Sequence, residues 1–237
     1  MTGTLYLIPT PLADDTADAV LPPLTLTTLG RLEHFLCENA RTARRFVSSL
    51  RLHPSVESLQ FSVLNKDTTA VELPTLMAPL LQGKDMGLLS ESGCPAVADP
   101  GALAVAFAHQ HDIAVAPLTG PSSLLLALMA SGLNGQRFAF HGYLPVDEAE
   151  LGVVLRNLER ESREKNQTQL FIETPYRNNK LVGNLLRHLR ADTRLCIAAH
   201  LTAPNQSIQC RTIREWKQHL PVLEKVPATF LFLAVGK

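Results

Sequence analysis

Glu38 and Arg41 sit in CENARTARR (37–45), which sets an acid, an amide and three arginines just past the end of an apolar run. On a helix starting near Asn39, Arg41 and Arg45 lie four apart on one face. Cationic charge near a helix N-terminus is disfavoured by the helix dipole. These arginines therefore read either as a solvated basic face or as groups that meet an anion. Three further stretches could carry chemistry: PTPLADDT (9–16), SESGCPAVADPG (90–101) and TGPSS (119–123). Each is rich in turn residues, and each follows a predicted strand. In open parallel sheets, ligands bind outside the carboxyl ends of the strands, so the three loops are expected to line one pocket.

Several chemistries lose their support at once. There is no G-x-x-x-x-G-K-[ST] and no G-x-G-x-x-G, which disfavours P-loop and ordinary dinucleotide-binding readings. No G-x-S-x-G nucleophile elbow is present. Gly120 can turn the chain sharply, and Ser122 can cap the helix that follows. The eight histidines have no H-x-x-x-H or H-E-x-x-H spacing, so no metal site is expected. The four cysteines show no C-x-x-C or zinc spacing and read as reduced, partly buried thiols of a cytoplasmic protein.

The elements that must position these loops are legible in the hydrophobic pattern. Strands are predicted at 3–9, 33–38, 58–64, 85–91 and 112–118, alternating with helices at 39–51, 69–82 (interrupted by Pro74) and 102–110. Solid apolar strands alternating with helices argue for a parallel sheet covered on both faces. After TGPSS the pattern changes. A helix at 123–133 is followed by a strand at 137–145, a helix at 151–165, a strand at 168–174 and a helix at 178–190. Strands at 194–201, 207–213 and 228–235 then come in closer succession, with a short helix at 215–220. Such succession predicts a mixed sheet with antiparallel pairs. The expected organisation is α/β in two domains, 1–118 with a mostly parallel sheet and 119–237 with a mixed sheet.

The chain has 237 residues, 46% hydrophobic and 19% charged, with a formal net charge of zero. It is long enough for proper cores, and no global field draws it to nucleic acid or membrane. The N-terminal stretch MTGTLYLIPTPLADD reads as neither signal peptide nor anchor. The apolar stretch SSLLLALMASGL has about half the length a bilayer span needs.

Taken in order, LYLIPTPL, CENARTARR, LLSESGCPAVADPG, PLTGPSSLLLALMASGL, F-x-F-x-GYLP and LFIETPYR resemble the tetrapyrrole (corrin/porphyrin) methylase superfamily. Within it they are similar to the ribosomal RNA small-subunit 2'-O-methyltransferase I family. The resemblance covers nearly the whole chain. It implies a methyltransferase that uses S-adenosylmethionine, holds it in a cleft between two domains and forms a homodimer. The motifs that match the cofactor-binding positions are Pro9 to Pro11, Gly93-Cys94 with the following Pro95, Val97, Ser122 and Ser123. In the second half they are Leu170, Phe171 and Ile172 with Ala228 and Thr229. Cys94 stands where many relatives carry aspartate and the RNA-methylating branch threonine. The same resemblance gives Glu38 and Arg41 a catalytic or substrate-orienting role. Glu38-Asn39-Ala40-Arg41 replaces the branch's usual Glu-Asp-Thr-Arg, and Ala13-Asp14 replaces its first-loop Gly-Asn.

Physical chemistry agrees with a methyl donor. Backbone groups in Gly/Pro turns can bind its polar ends while apolar residues enclose the adenine. Positioning supplies most of the rate of an in-line displacement, and no metal is needed. Three readings follow for the acceptor: ribosomal RNA, a small molecule such as a tetrapyrrole, or none in a non-catalytic cofactor-binding relative.

Overall fold

A computed structural model describes residues 2–223 and 225–236. It divides into two compact units, Met1–Ser122 and Ser123–Lys237. In the first, five short strands, β1 (Thr4–Ile8), β2 (His34–Cys37), β3 (Gln60–Val63), β4 (Met86–Leu89) and β5 (Ala114–Pro117), form a sheet of order β3-β2-β4-β1-β5. Every pairing in it is parallel. Such pairing needs a crossover between successive strands. The crossovers are supplied by α1 (Ala17–Val20) and α2 (Pro23–Leu29), α3 (Ala40–Ser49), α4 (Leu73–Leu76) and α5 (Ala78–Leu81), and α6 (Ala102–Gln110).

All four residues of β4 are buried because both faces of this central strand are covered. Leu5, Leu36 and Leu88 enter one core with Met77, Ala104 and Phe107. Ile8, Phe35, Cys37 and Leu89 enter another with Leu29, Val47 and Leu59. The alternation Phe35/Leu36/Cys37 is the two-residue period of a strand feeding two layers.

Two departures from the sequence pattern have local causes. The helix predicted over 69–82 is two short helices, each with a proline in its first turn, Pro74 in α4 and Pro79 in α5. Pro79 lacks the N–H that would continue the first helix and fits only at a new start. The region 17–29, without a predicted element, holds α1 and α2, and Pro23 opens α2 after a cap at Pro22. Neither is long enough to show a 3.6-residue apolar period.

The second unit opens with α7 (Ser123–Ser131). Its strands are β6 (Phe138–Tyr143), β7 (Thr168–Ile172), β8 (Arg194–Ala199), β9 (Ser207–Thr212) and β10 (Ala228–Leu233), in the order β6-β7-β10-β8-β9. Only β6–β7 is parallel; β7–β10, β10–β8 and β8–β9 are antiparallel. Between strands lie α8 (Glu148–Lys165), α9 (Asn178–His188) and α10 (Ile213–Gln218). α8 begins three residues before its predicted start, where Asp147 caps it by accepting from the Glu150 N–H. One core joins Leu151 and Leu155 of α8 to Leu181 and Leu185 of α9, Trp216 of α10, and Phe171, Phe230 and Phe232 of the sheet. Among the described residues no helix is long and apolar enough to cross a membrane.

Candidate functional site

Parallel register levels the strand ends of the first unit. Ile8 and Cys37 both pair with Leu89, and Leu7 pairs with Pro117. The loops that leave these ends are therefore neighbours, and they are stitched together. Thr10 and Gly93 exchange backbone hydrogen bonds of 2.9 and 3.1 Å, and the Thr10 hydroxyl donates to the Ser90 carbonyl at 3.2 Å. The Cys94 thiol donates to the Pro121 carbonyl at 3.5 Å. The Thr25 hydroxyl of α2 donates to the Thr119 carbonyl at 2.8 Å. A Cβ on Gly120 would lie 2.3 Å from Pro9 Cβ, so glycine is required where these two loops touch.

The Ser90–Gly101 loop is held in an unusual path. Gly93, Ala96 and Ala98 have φ of 80°, 64° and 61°. Alanine rarely enters this left-handed region, so the loop needs an external fastening. Asp99 supplies it: its Oδ1 accepts from the N–H of Ala96 at 2.7 Å and of Gly101 at 2.8 Å. Within the loop Gly93 and Pro95 are buried, Cys94 is half-buried, and Val97 is exposed. Pro9 is buried and Pro11 half-buried. Ser122 ends the first unit and directly precedes α7, whose first residue is Ser123.

Glu38 leads from β2 towards the same loop. Burial raises its carboxyl above the ordinary carboxylate value, and the negative charges of Asp99 and Glu91 raise it further. Burial also raises Asp99, against the opposing pull of the Ala96 and Gly101 N–H groups. Three carboxylates thus share this loop edge, and a cation placed beside them would relieve their mutual repulsion. No group of three or more His, Cys, Asp or Glu residues capable of holding a metal occurs among the described residues. The donor set suits an organic cation that also needs backbone donors and acceptors. Burial pushes the Cys94 thiol up and the Cys37 thiol to about 12, so neither is an active nucleophile.

Arg41 lies in the first turn of α3, exposed. Asn39 caps that helix, its Oδ1 accepting from the N–H groups of Arg41 at 2.9 Å and Thr42 at 3.3 Å. The cap offsets what the arginines cost near the helix N-terminus. Arg44 lies 5.3 Å over the Phe61 ring, a partial reason for its position that is independent of any ligand. Among the described residues neither Arg41 nor Arg45 joins a salt bridge.

In the second unit, Ile172 at the end of β7 pairs with Thr229, and Ala228 pairs with Ala199. Phe171 is fully buried and stacks on Phe230 with 5.9 Å between centroids. Its side chain is part of the core. Leu170 is likewise buried, while Ile172 and Ala228 are half-buried. Beyond β7, Glu173 is paired with Arg177 at 2.8 Å and accepts from the Thr174 N–H.

Asp99, Glu91 and Thr10 lie inside the stretches singled out from the sequence, but sequence reasoning assigned none of them a role of its own at the loop edge. The available signal was D-P-G at 99–101, where an aspartate readily folds back on nearby backbone N–H groups.

Residues 15–216 match the family model for tetrapyrrole (corrin/porphyrin) methylases. The chain is 31% identical over 232 residues to the ribosomal RNA small subunit methyltransferase I of Mesorhizobium japonicum, covering 98% of this chain and 74% of that one. The methyltransferase CobJ has a similar fold, with a TM-score of 0.65 at 15% identity, over 99% of this chain and 95% of that one. So does uroporphyrin-III C-methyltransferase from Thermus thermophilus, solved with S-adenosylhomocysteine. Its TM-score is 0.61 at 18% identity, over 98% and 97% of the two chains. The chain belongs to the tetrapyrrole (corrin/porphyrin) methylase family.

Proposed function

We propose that this protein is an S-adenosylmethionine-dependent methyltransferase that methylates a ribose 2'-hydroxyl of ribosomal RNA. The observation that carries the reading is the loop edge of the parallel sheet. There, backbone-stitched Gly/Pro turns adjoin the three carboxylates Glu38, Glu91 and Asp99. S-adenosylmethionine supplies an electrophilic methyl on a sulfonium cation. The carboxylates favour that cation, and the turn backbone around Gly93 and Cys94 offers hydrogen-bonding groups to its polar ends. Val97, exposed beside them, offers apolar contact. Ile172, Ala228 and Thr229 are the second unit's candidates for donor contact.

Glu38 takes the proton from the acceptor hydroxyl. Its raised carboxyl binds a proton more readily than an ordinary one, which suits a base. Arg41, with Arg44 and Arg45 on the same helix, meets the phosphate backbone of the acceptor. The RNA assignment is supported by the names of the relatives at 31% identity.

The test is transfer of labelled methyl to bulk ribosomal RNA from cells lacking the protein. Label in ribose of that RNA is expected. Label only in a small-molecule fraction would replace RNA with a tetrapyrrole-like acceptor. No transfer to either, with the donor bound, would leave a cofactor-binding relative. We also propose a homodimer, supported by exposed Met129 on α7 and exposed Phe138 and Tyr143 on β6. Sedimentation at micromolar concentration should give twice the chain mass.

A further inference from the structure

The antiparallel hairpin β8–β9 sets Cys196 directly opposite Cys210. Opposed residues in such a ladder project to the same face, with Cα atoms about 4.5–5.5 Å apart. A disulfide spans about 4.4–6.8 Å, so the pair stands at bonding range without a change of register. Both thiols are free, and they hydrogen-bond to one another. The two positions differ in access. β9 is an edge strand and Cys210 is exposed on it, while Cys196 is buried in the next strand. One thiol can meet a soluble reagent, and the other can meet only its partner.

We infer that Cys210 and Cys196 form a dithiol oxidation site, in which a hydroperoxide oxidises Cys210 and Cys196 resolves it as an intrachain disulfide. The Cys210 thiolate attacks one oxygen of hydrogen peroxide; an S–O bond forms, the O–O bond breaks, and the released hydroxide leaves as water after taking a proton. Cys196 then loses its proton and attacks the Cys210 sulfur. The S–S bond forms, the S–O bond breaks, and hydroxide and that proton leave as a second water. Two thiols and one peroxide give one disulfide and two waters. The electrostatics of the chain favour this order. The Cys196 hydrogen bond lowers the Cys210 thiol to about 7, with help from the Arg194 cation and against partial burial and the charge of Glu215. Cys196 is raised by the same contact and by burial. Cys37 and Cys94 are both raised by burial.

Iodoacetamide at pH 7, mapped by peptide mass, should label Cys210 about tenfold faster than Cys94 or Cys37, the lower nucleophilicity of a low-pKa thiol partly offsetting its larger thiolate fraction. Hydrogen peroxide given to the reduced full chain should yield one peptide pair joined through Cys196 and Cys210, in a species that runs as a single chain without reductant. Cys210→Ser should abolish the link. Cys196→Ala should leave a sulfenic acid at residue 210 that dimedone traps. Equal labelling of Cys94, a link between two chains, or Cys210 passing to sulfinic acid in the wild type would overturn the proposal. The wild-type maps decide it even if a variant fails to fold.

Discussion

Asp99 is the residue on which geometry and charge can be separated. Its Oδ1 fastens two N–H groups of a loop that places two alanines at positive φ, and its charge raises Glu38. Asp99→Ala removes both effects. Loss of hydrogen bonds that a charged group accepts, each about 1.5–3 kcal/mol, should weaken S-adenosylmethionine binding at least about tenfold by calorimetry. Asp99→Asn keeps an oxygen acceptor and drops the charge, so the loop should hold while Glu38 falls towards its ordinary value. A base must be ionised to act, so activity is lost as pH falls through the Glu38 value. That acid limb, raised in the wild type, should move to lower pH in Asp99→Asn. A limb that stays in place would remove Glu38 as the titrating base. Glu38→Gln should lower kcat by about 10²–10⁴-fold with donor affinity preserved.

Among the elements, α3 and the Pro9–Gly120 junction make different predictions. Asn39 caps α3, and Asn39→Ala should cost about 1 kcal/mol of stability in denaturant unfolding. It should also loosen the first turn that carries Arg41. Gly120→Ala places a methyl 2.3 Å from Pro9 Cβ. Overpacking of this kind costs about 1–3 kcal/mol, and here it would also part the first and third loops. The expected result is a lower Tm together with reduced donor affinity, whereas Asn39→Ala lowers stability with donor affinity unchanged. A Gly120→Ala protein with unchanged donor affinity would show that the junction is not part of the site.

For the whole molecule, net charge is zero, so the proposed RNA binding would have to come from a local patch. Its affinity should fall with rising salt, the log–log slope counting the phosphates neutralised. Arg41→Ala should flatten that slope by about one and weaken binding across RNA sequences. An Arg41→Ala protein with full transfer and the wild-type slope would take Arg41 out of the site. The donor should protect against thermal unfolding by about 2.7 kcal/mol at a hundred times its Kd. No protection would sink the methyltransferase reading before any RNA is tested.

The sequence by itself determined the layered α/β character of both halves, because burial on both faces demands solid apolar strands and a crossover demands a helix. It also determined which turn-rich loops leave strand ends, since glycine and proline there answer to local backbone geometry. Local periodicity could not show α1 and α2, or the division of 69–82 around Pro79, because elements of one or two turns carry too few residues to display a period. Tertiary structure alone decided that the Phe171 side chain packs in the core, and that Asp99 and Glu91 share an edge with Glu38. It alone decided that Cys196 faces Cys210. Each of these depends on how strands and loops are brought side by side, which local periodicity along the chain does not specify.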